Sequence, residues 1–371
     1  MKGDGMNALF DIWNNIQSNL FPWLEEELDP LSEKEQRFVK VILLLDLGKH
    51  MKGYGSCGIG RKRKSRISLA KAFVAKAVYN FETTDILIEY LKGCKNLRRL
   101  CGWENRWSVP SKSTFSRAFS EFTEKELLQK IHEAMIKTHY GSKLAGHVSR
   151  DSTAIEAREK PVKKNKAFLS SVTKRKRGRP RKGEKVDPKP PKRLDLQSER
   201  SLEDNLCDLP TRCDVGSKVN SKGYKTSWTG YKLHLDCIDG DIPVSAILSS
   251  ASLHDSQVAI PLAQMTSERI TSLYDLMDSA YDAPQIKDFS RKLGHVPIID
   301  HNPRRSGEKI QMDLTTKIRF NQRTSAERVN SYLKDNYGGN NIRVKGCKKI
   351  MSHLMFGVVV ITALQLYRLL L

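Results

Sequence analysis

The stretch from Phe320 to Lys334, FNQRTSAERVNSYLK, carries the residue types best suited to chemistry. Arg323, Glu327 and Lys334 follow one another at steps of four and seven residues, with Phe320 seven residues before Glu327. On an α-helix those steps return to nearly the same face. A carboxylate between two cations suits metal and phosphate chemistry, although a solvated charged face has the same pattern. Two further acids, Asp151 in HVSRDSTAIEA and Asp278 in LYDLMDSAYDA, lie in segments that read as strands. Three carboxylates brought together from different elements would suit a hard, oxygen-seeking cation such as Mg²⁺. Arg323 and Lys334 carry only donors, so they suit phosphate oxygens and not a metal.

The elements that must position these residues are legible in outline. Residues 1–65 read as helices broken at Pro22 and Pro30, followed by a glycine-rich stretch and the basic run RKRKSR. Leu69, Phe73, Ala77 and Phe81 repeat at intervals of four. Further on, Pro110 and Ser111 open a helix that buries Phe115, Phe119 and Phe122 and exposes Lys112, Ser113, Ser116 and Arg117. That pattern fits a helix-turn-helix facing a major groove, and equally a plain helical bundle. After one more amphipathic helix the period switches to alternation at HVSRDSTAIEA. Two alternating segments, GYKLHLDCID and DIPVSAILSSA, meet at Asp239-Gly240-Asp241, a hairpin turn. The remaining order is helix, strand, helix, strand and the Phe320–Lys334 helix, with an apolar helix from about Lys348 closing the chain. Among the other acids, Asp255 reads as a helix cap, Asp236 as a strand-edge residue, Asp239 as a turn residue and Asp282 as a support behind Asp278.

Composition narrows the partners. The 371 residues carry a formal net charge of +22, which points to a polyanion, most simply nucleic acid. Between Arg158 and Arg193 there are 16 Lys or Arg against 3 Asp or Glu, with few large apolar residues. Such a run is expected to be disordered when free. Inside it Arg177-Gly178-Arg179-Pro180 resembles an AT-hook core, whose arginines lie in a narrow A·T minor groove. Non-specific phosphate contact and a nuclear localisation signal are the other readings of the run. The seven cysteines form no Cys-x2-Cys pair, which speaks against structural zinc and fits a reducing compartment. No phosphate-binding Gly-x4-Gly-Lys-Ser/Thr loop is present, so no nucleotide energy source is implied. The apolar LMFGVVVITALQLY is short for a bilayer span and reads as a buried core helix.

Taken together, the three acid-bearing segments resemble the DDE transposases of bacterial insertion sequences. The helix is similar to their Tyr-Arg-Glu-Lys signature, with Phe320 in the place of Tyr. Leu100-x-Gly102-Trp103 and Pro110-Ser111-x-Ser113-Thr114-Phe115 are similar to passages in the helical region of that family. The resemblance implies an α+β protein: a ribonuclease H-like catalytic core over 141–371 and a helical DNA-binding region over 1–140, with the disordered basic insertion at 158–222. The interval of 49 residues between Asp278 and Glu327 leaves no room for the large β domain that some relatives insert there. Asp151, Asp278 and Glu327 would be catalytic and would hold two Mg²⁺ ions, with Mn²⁺ as an alternative. Arg323, Lys334, Arg177, Arg179, Lys112 and Arg117 would contact DNA. The implied activity is cleavage at element ends and joining of 3′ ends to target DNA. The implied setting is the prokaryotic cytoplasm at the nucleoid, with double-stranded DNA and a homodimer as partners and no membrane. A catalytically inactive DNA-binding derivative and a metal-dependent nuclease without strand transfer are the rival readings.

Overall fold

Alternating segments pair into a sheet and the 3.6-periodic segments cover it, as the patterns require. The computed structural model of the chain describes residues 4–54, 63–162, 191–219, 222–303, 308 and 310–369. The helical region comprises α1 (Asp4–Asn15), α2 (Phe21–Glu27), α3 (Glu33–Leu45), α4 (Leu47–His50), α5 (Arg66–Val78), α6 (Thr84–Gly93), α7 (Lys95–Leu100), α8 (Lys112–Glu124) and α9 (Leu127–Tyr140). Strand β1 (Leu144–Glu156) follows, then α10 (Arg193–Gln197), α11 (Leu202–Asp208), β2 (Asp214–Val219), β3 (Lys225–Ile238) and β4 (Ile242–Ser250). The chain continues through α12 (Ser256–Ser267), β5 (Thr271–Met277), α13 (Pro284–Lys292), β6 (Val296–Ile299), α14 (Leu314–Phe320), α15 (Thr324–Asn336) and α16 (Cys347–Arg368).

The six strands form one mixed sheet in the order β2-β3-β1-β5-β6, with β4 also pairing β3. β1 is central, antiparallel to β3 and parallel to β5. Besides β1, the long strand β3 serves two further partners. Its first half pairs with β2 and its second half with β4. Gly230 sits at the changeover with φ +153°, and a Cβ there would strike the Ile155 carbonyl oxygen. Only glycine allows that close approach.

Two expectations meet a different arrangement. The segment 158–222, read as one disordered insertion, contains α10, α11 and β2. The basic density lies in its first half, whereas Leu194, Leu206 and Leu209 in the second half supply apolar anchors that pack near α12. Arg177 and Arg179 lie outside the described residues.

The helical region also has no separate core. α16 runs through both layers, and Phe356 sits 5.6 Å from Phe73 and 6.3 Å from Phe119, ring centre to ring centre. Phe115, Phe119 and Phe122 are buried on α8, while Lys112, Ser113, Ser116 and Arg117 are exposed. Of the described helices, α16 is long and apolar enough to cross a membrane by length and composition. Its 22 residues exceed the 14-residue apolar stretch read from the sequence. Val358, Val359, Val360 and Ala363 are fully buried inside the protein, as in a core helix.

Candidate active site

Side chains alternate across β1, and the two faces meet different helices. On one face Arg150 is fully buried and grips Asp236 with two bonds, 2.8 and 2.7 Å long. Thr266 of α12 donates to the same carboxylate at 2.7 Å. Asp236 is therefore an interior anchor and not the strand-edge residue that its alternation suggested. Asp236 and Asp275 raise the Arg150 pKa despite its burial. This bidentate pair fixes β1 against β3 one residue before Asp151.

On the other face Ser149 and Asp151 meet α15. Asp151 Oδ2 accepts a hydrogen bond from Asn330 Nδ2 at 3.1 Å. The parallel ladder pairs Arg150 with Met277, so the next step sets Asp151 beside Asp278. Asp278 caps a short 3₁₀ turn, Ser279–Tyr281, and accepts from the Ala280 amide at 2.9 Å. Burial pushes the Asp151 pKa up to about 6, and the charges of Asp278 and Glu327 add to the rise. Burial likewise raises Asp278, and Asp255 adds to it. The three acids therefore share one electrostatic neighbourhood.

Glu327 reaches this neighbourhood because α15 is tied down at several points. Ser325 Oγ donates to the Ile238 carbonyl at 3.2 Å and to Asp241 at 2.9 Å. Arg328 holds Asp241 at 2.7 Å. Gly357 of α16 passes so close to Leu333 and Tyr337 that a Cβ would collide with both. The stretch expected as one continuous helix is interrupted: α14 ends at Phe320, a 3₁₀ turn covers Asn321–Arg323, and α15 begins at Thr324. Arg323 nevertheless pairs with Glu327 at 2.8 Å, and its guanidinium lies 5.5 Å from the Phe320 ring centre.

Lys334 is half-buried, which lowers its pKa. Glu156 and Asp151 oppose that effect, and the nearby Lys218 adds to it. Lys218 of β2 also lowers the pKa of Asp278. Neither Lys218 nor Asn330 was among the residues singled out from the sequence. Asn330 had a detectable signal, since Arg323, Glu327, Asn330 and Lys334 share one helical spacing. Lys218 had none, because its place depends on β2 pairing with β3.

The other expected residues fall into place as follows. Lys112 bonds Asp85 at 2.5 Å, and Arg117 Nε donates to the Ser113 carbonyl at 3.3 Å. Asp255 precedes α12, but its side chain makes no cap bond. It accepts from Lys232 at 2.9 Å, so the strand and not the helix end claims it. Asp282 pairs with Lys287 at 2.5 Å and accepts from the Asn302 amide at 3.0 Å.

The donor set fits a hard divalent cation in its chemistry: carboxylate oxygens, two of them with raised proton affinity. Among the described residues, no three acids, histidines or cysteines are already gathered as a coordination group. Glu327 is bonded to Arg323 instead.

An aspartate within β1 and a second just past the end of the neighbouring β5, faced by a glutamate helix, make a carboxylate site in a strongly basic chain that suits a polyanion. The family comparison is more particular. Residues 147–362 match the model of the transposase DDE domain, and residues 26–121 match that of a transposase domain (DUF772). The chain belongs to the DDE transposase family, which implies an enzyme of the nucleotidyl-transferase type acting on DNA. No curated protein gives a match.

Proposed function

We propose that this protein is an active transposase that cleaves DNA at element ends and joins the 3′ ends to a target. The supporting observation is the register that sets Asp151 beside Asp278 beneath the Glu327 helix, with Asp151 sensing both other acids. With β2 set aside, the remaining strands, β1, β3 and β4 antiparallel in succession and then β5 and β6 parallel to β1, support a ribonuclease H-like core. Asp151, Asp278 and Glu327 would hold two Mg²⁺ or Mn²⁺ ions, which supply an activated oxygen nucleophile and stabilise the leaving oxygen. Asn330 orients the Asp151 carboxylate through its amide N–H. Arg323, released from Glu327, offers a bidentate fork to a phosphate, and Lys334 and Lys218 offer point charges beside it. Those cations position the strand and offset charge that develops on its oxygens. Lys112 and Arg117 on α8 and the 174–182 run extend the contact with duplex DNA, and a homodimer would pair two ends.

The test is an assay with end DNA, divalent metal and a target plasmid. Joined product supports the proposal. Nicked product alone indicates a nuclease, and binding without cleavage indicates an inactive derivative.

A further inference from the structure

A second site lies on the seam between the helical region and the sheet. A cleft of about 440 Å³ opens there, lined by Lys76 of α5, Lys112 of α8, and Arg158, Tyr337 and Arg343. Phe73, Phe119 and Phe356 form its apolar floor. Four cations line the cleft against two acids, Glu82 and Asp85. Arg343 contacts Glu82 at 3.2 Å and Lys112 contacts Asp85. Lys76 donates to the backbone oxygen of Glu82 at 3.3 Å, and among the described residues it makes no ion pair. Burial and the Arg343 charge lower the Lys76 pKa to about 8, and the Glu82 charge offsets them only in part. A cationic cleft with an aromatic floor calls for a ligand with a flat ring and an anionic group.

Its position identifies the source of that ligand. Arg158 lies two residues beyond the end of β1, and Tyr337 directly follows the last residue of α15. These are the elements that carry Asp151 and Glu327. Arg158 lies seven positions beyond Asp151 in the chain, a span of at most about 25 Å. Lys334, which senses both Asp151 and Glu156, lies along the way. The volume is that of a small-molecule site and far too narrow for a duplex. Basic grooves with aromatic surfaces are the usual form of single-strand sites.

We propose that this cleft binds an unpaired nucleotide of the DNA strand running from the active site, its base against Tyr337 and the phenylalanine floor and its phosphate on Lys76, Arg158 and Arg343. The proposal rests on the DNA reading of the acidic site. It assigns the seam a task of its own: a nucleotide held there touches the helical region and the catalytic layer at once, and so ties strand separation to their alignment.

The test is photo-crosslinking of the full chain to a duplex with a short single-stranded overhang of 5-iododeoxyuridine, in EDTA so that no cleavage occurs. Crosslinks are expected on the peptide bearing Tyr337. Arg343→Ala and Lys76→Met should each reduce their yield about tenfold, the loss of one charge-assisted contact. A blunt duplex with the same base substituted should give none there. Arg343 is exposed enough that its removal leaves folding intact, and a thermal melt of each variant checks this. Crosslinks equal for blunt and overhanging DNA, crosslinks only elsewhere, or yields unchanged in folded variants would overturn the proposal. Because the readout needs no cleavage, its failure beside normal metal-dependent cleavage removes the cleft alone. Crosslinking without any cleavage leaves the cleft and removes the transposase reading.

Discussion

Asp151→Asn should make the metal-free protein more stable at neutral pH while abolishing cleavage. The reason is the burial of an acid beside two others. The Asp151 pKa rises from 3.8 to about 6 in the folded protein, chiefly through burial and then through Asp278 and Glu327. At about 1.4 kcal/mol for each tenfold change in proton affinity, the ionised carboxylate costs the fold about 3 kcal/mol. Asparagine removes the charge and still offers an oxygen to Asn330 Nδ2. It retains part of the cost of burying a polar group, so the net gain should be about 2 kcal/mol.

The pH window follows from the sign. The folded state binds the proton more tightly than the unfolded chain, so the favourable contribution is complete below about pH 4. It is lost as pH rises through about 6. The variant should therefore gain little near pH 4 and its full advantage above pH 7. Urea unfolding of both proteins in EDTA across that range measures it. Adding Mg²⁺ at neutral pH should reverse the order, stabilising the wild type and not the variant. A variant that is no more stable above pH 7, or that shows the same gain at pH 4, would refute the argument that Asp151 is strained by charge.

Asn330→Ala removes the donor that favours the ionised form of Asp151, so the acid limb of the cleavage pH profile should move to higher pH. A profile that only drops in height would reduce Asn330 to packing. Arg323→Ala and Lys334→Ala should slow cleavage without raising the Mg²⁺ requirement, whereas Glu327→Gln should raise it. Full recovery of either cation variant at high Mg²⁺ would show that they act through the metal site. Deleting Lys174 to Lys182 should flatten the salt dependence of DNA binding, by about one unit of log–log slope per lost phosphate contact. An A·T-preferring component should vanish with it, and unchanged slope and base preference would make the segment a solvated linker.

What the sequence made legible was what local periodicity encodes. The buried phenylalanines of α8, the hairpin at Asp239–Asp241 and the alternation of β1 all follow from nearest neighbours on one element. Asp151, Asp278 and Glu327 could be singled out because each lies in a recognisable segment, although only the pairing of β1 with β5 puts the aspartates side by side. The rest depended on partners distant in sequence. Asp236 looks like an edge residue until Arg150 and Thr266 close around it. Asp255 looks like a cap until Lys232 takes it from the helix. The helical spacing through Phe320 gave no sign of the 3₁₀ turn at Asn321–Arg323, where the backbone leaves the α-helix and Ser149 bonds the Arg323 carbonyl. α10 and α11 were hidden beside a basic run whose composition dominated the reading of the whole interval.

The final helix shows why two sequence-defined regions need not behave as two bodies. α16 lies against Leu333 and Tyr337 at Gly357, and against Phe73 and Phe119 at the preceding residue, Phe356. Close-packed interiors transmit displacement, because a neighbour can neither overlap nor leave a void without loss of energy. If the helical region binds DNA as proposed, a shift of α5 or α8 would be passed through Phe356 to α16, and through Gly357 to α15. On α15 it would reach Asn330, which holds Asp151, and Glu327, which is paired with Arg323. The helical region thus has a mechanical route to Glu327, the carboxylate that is ion-paired with Arg323.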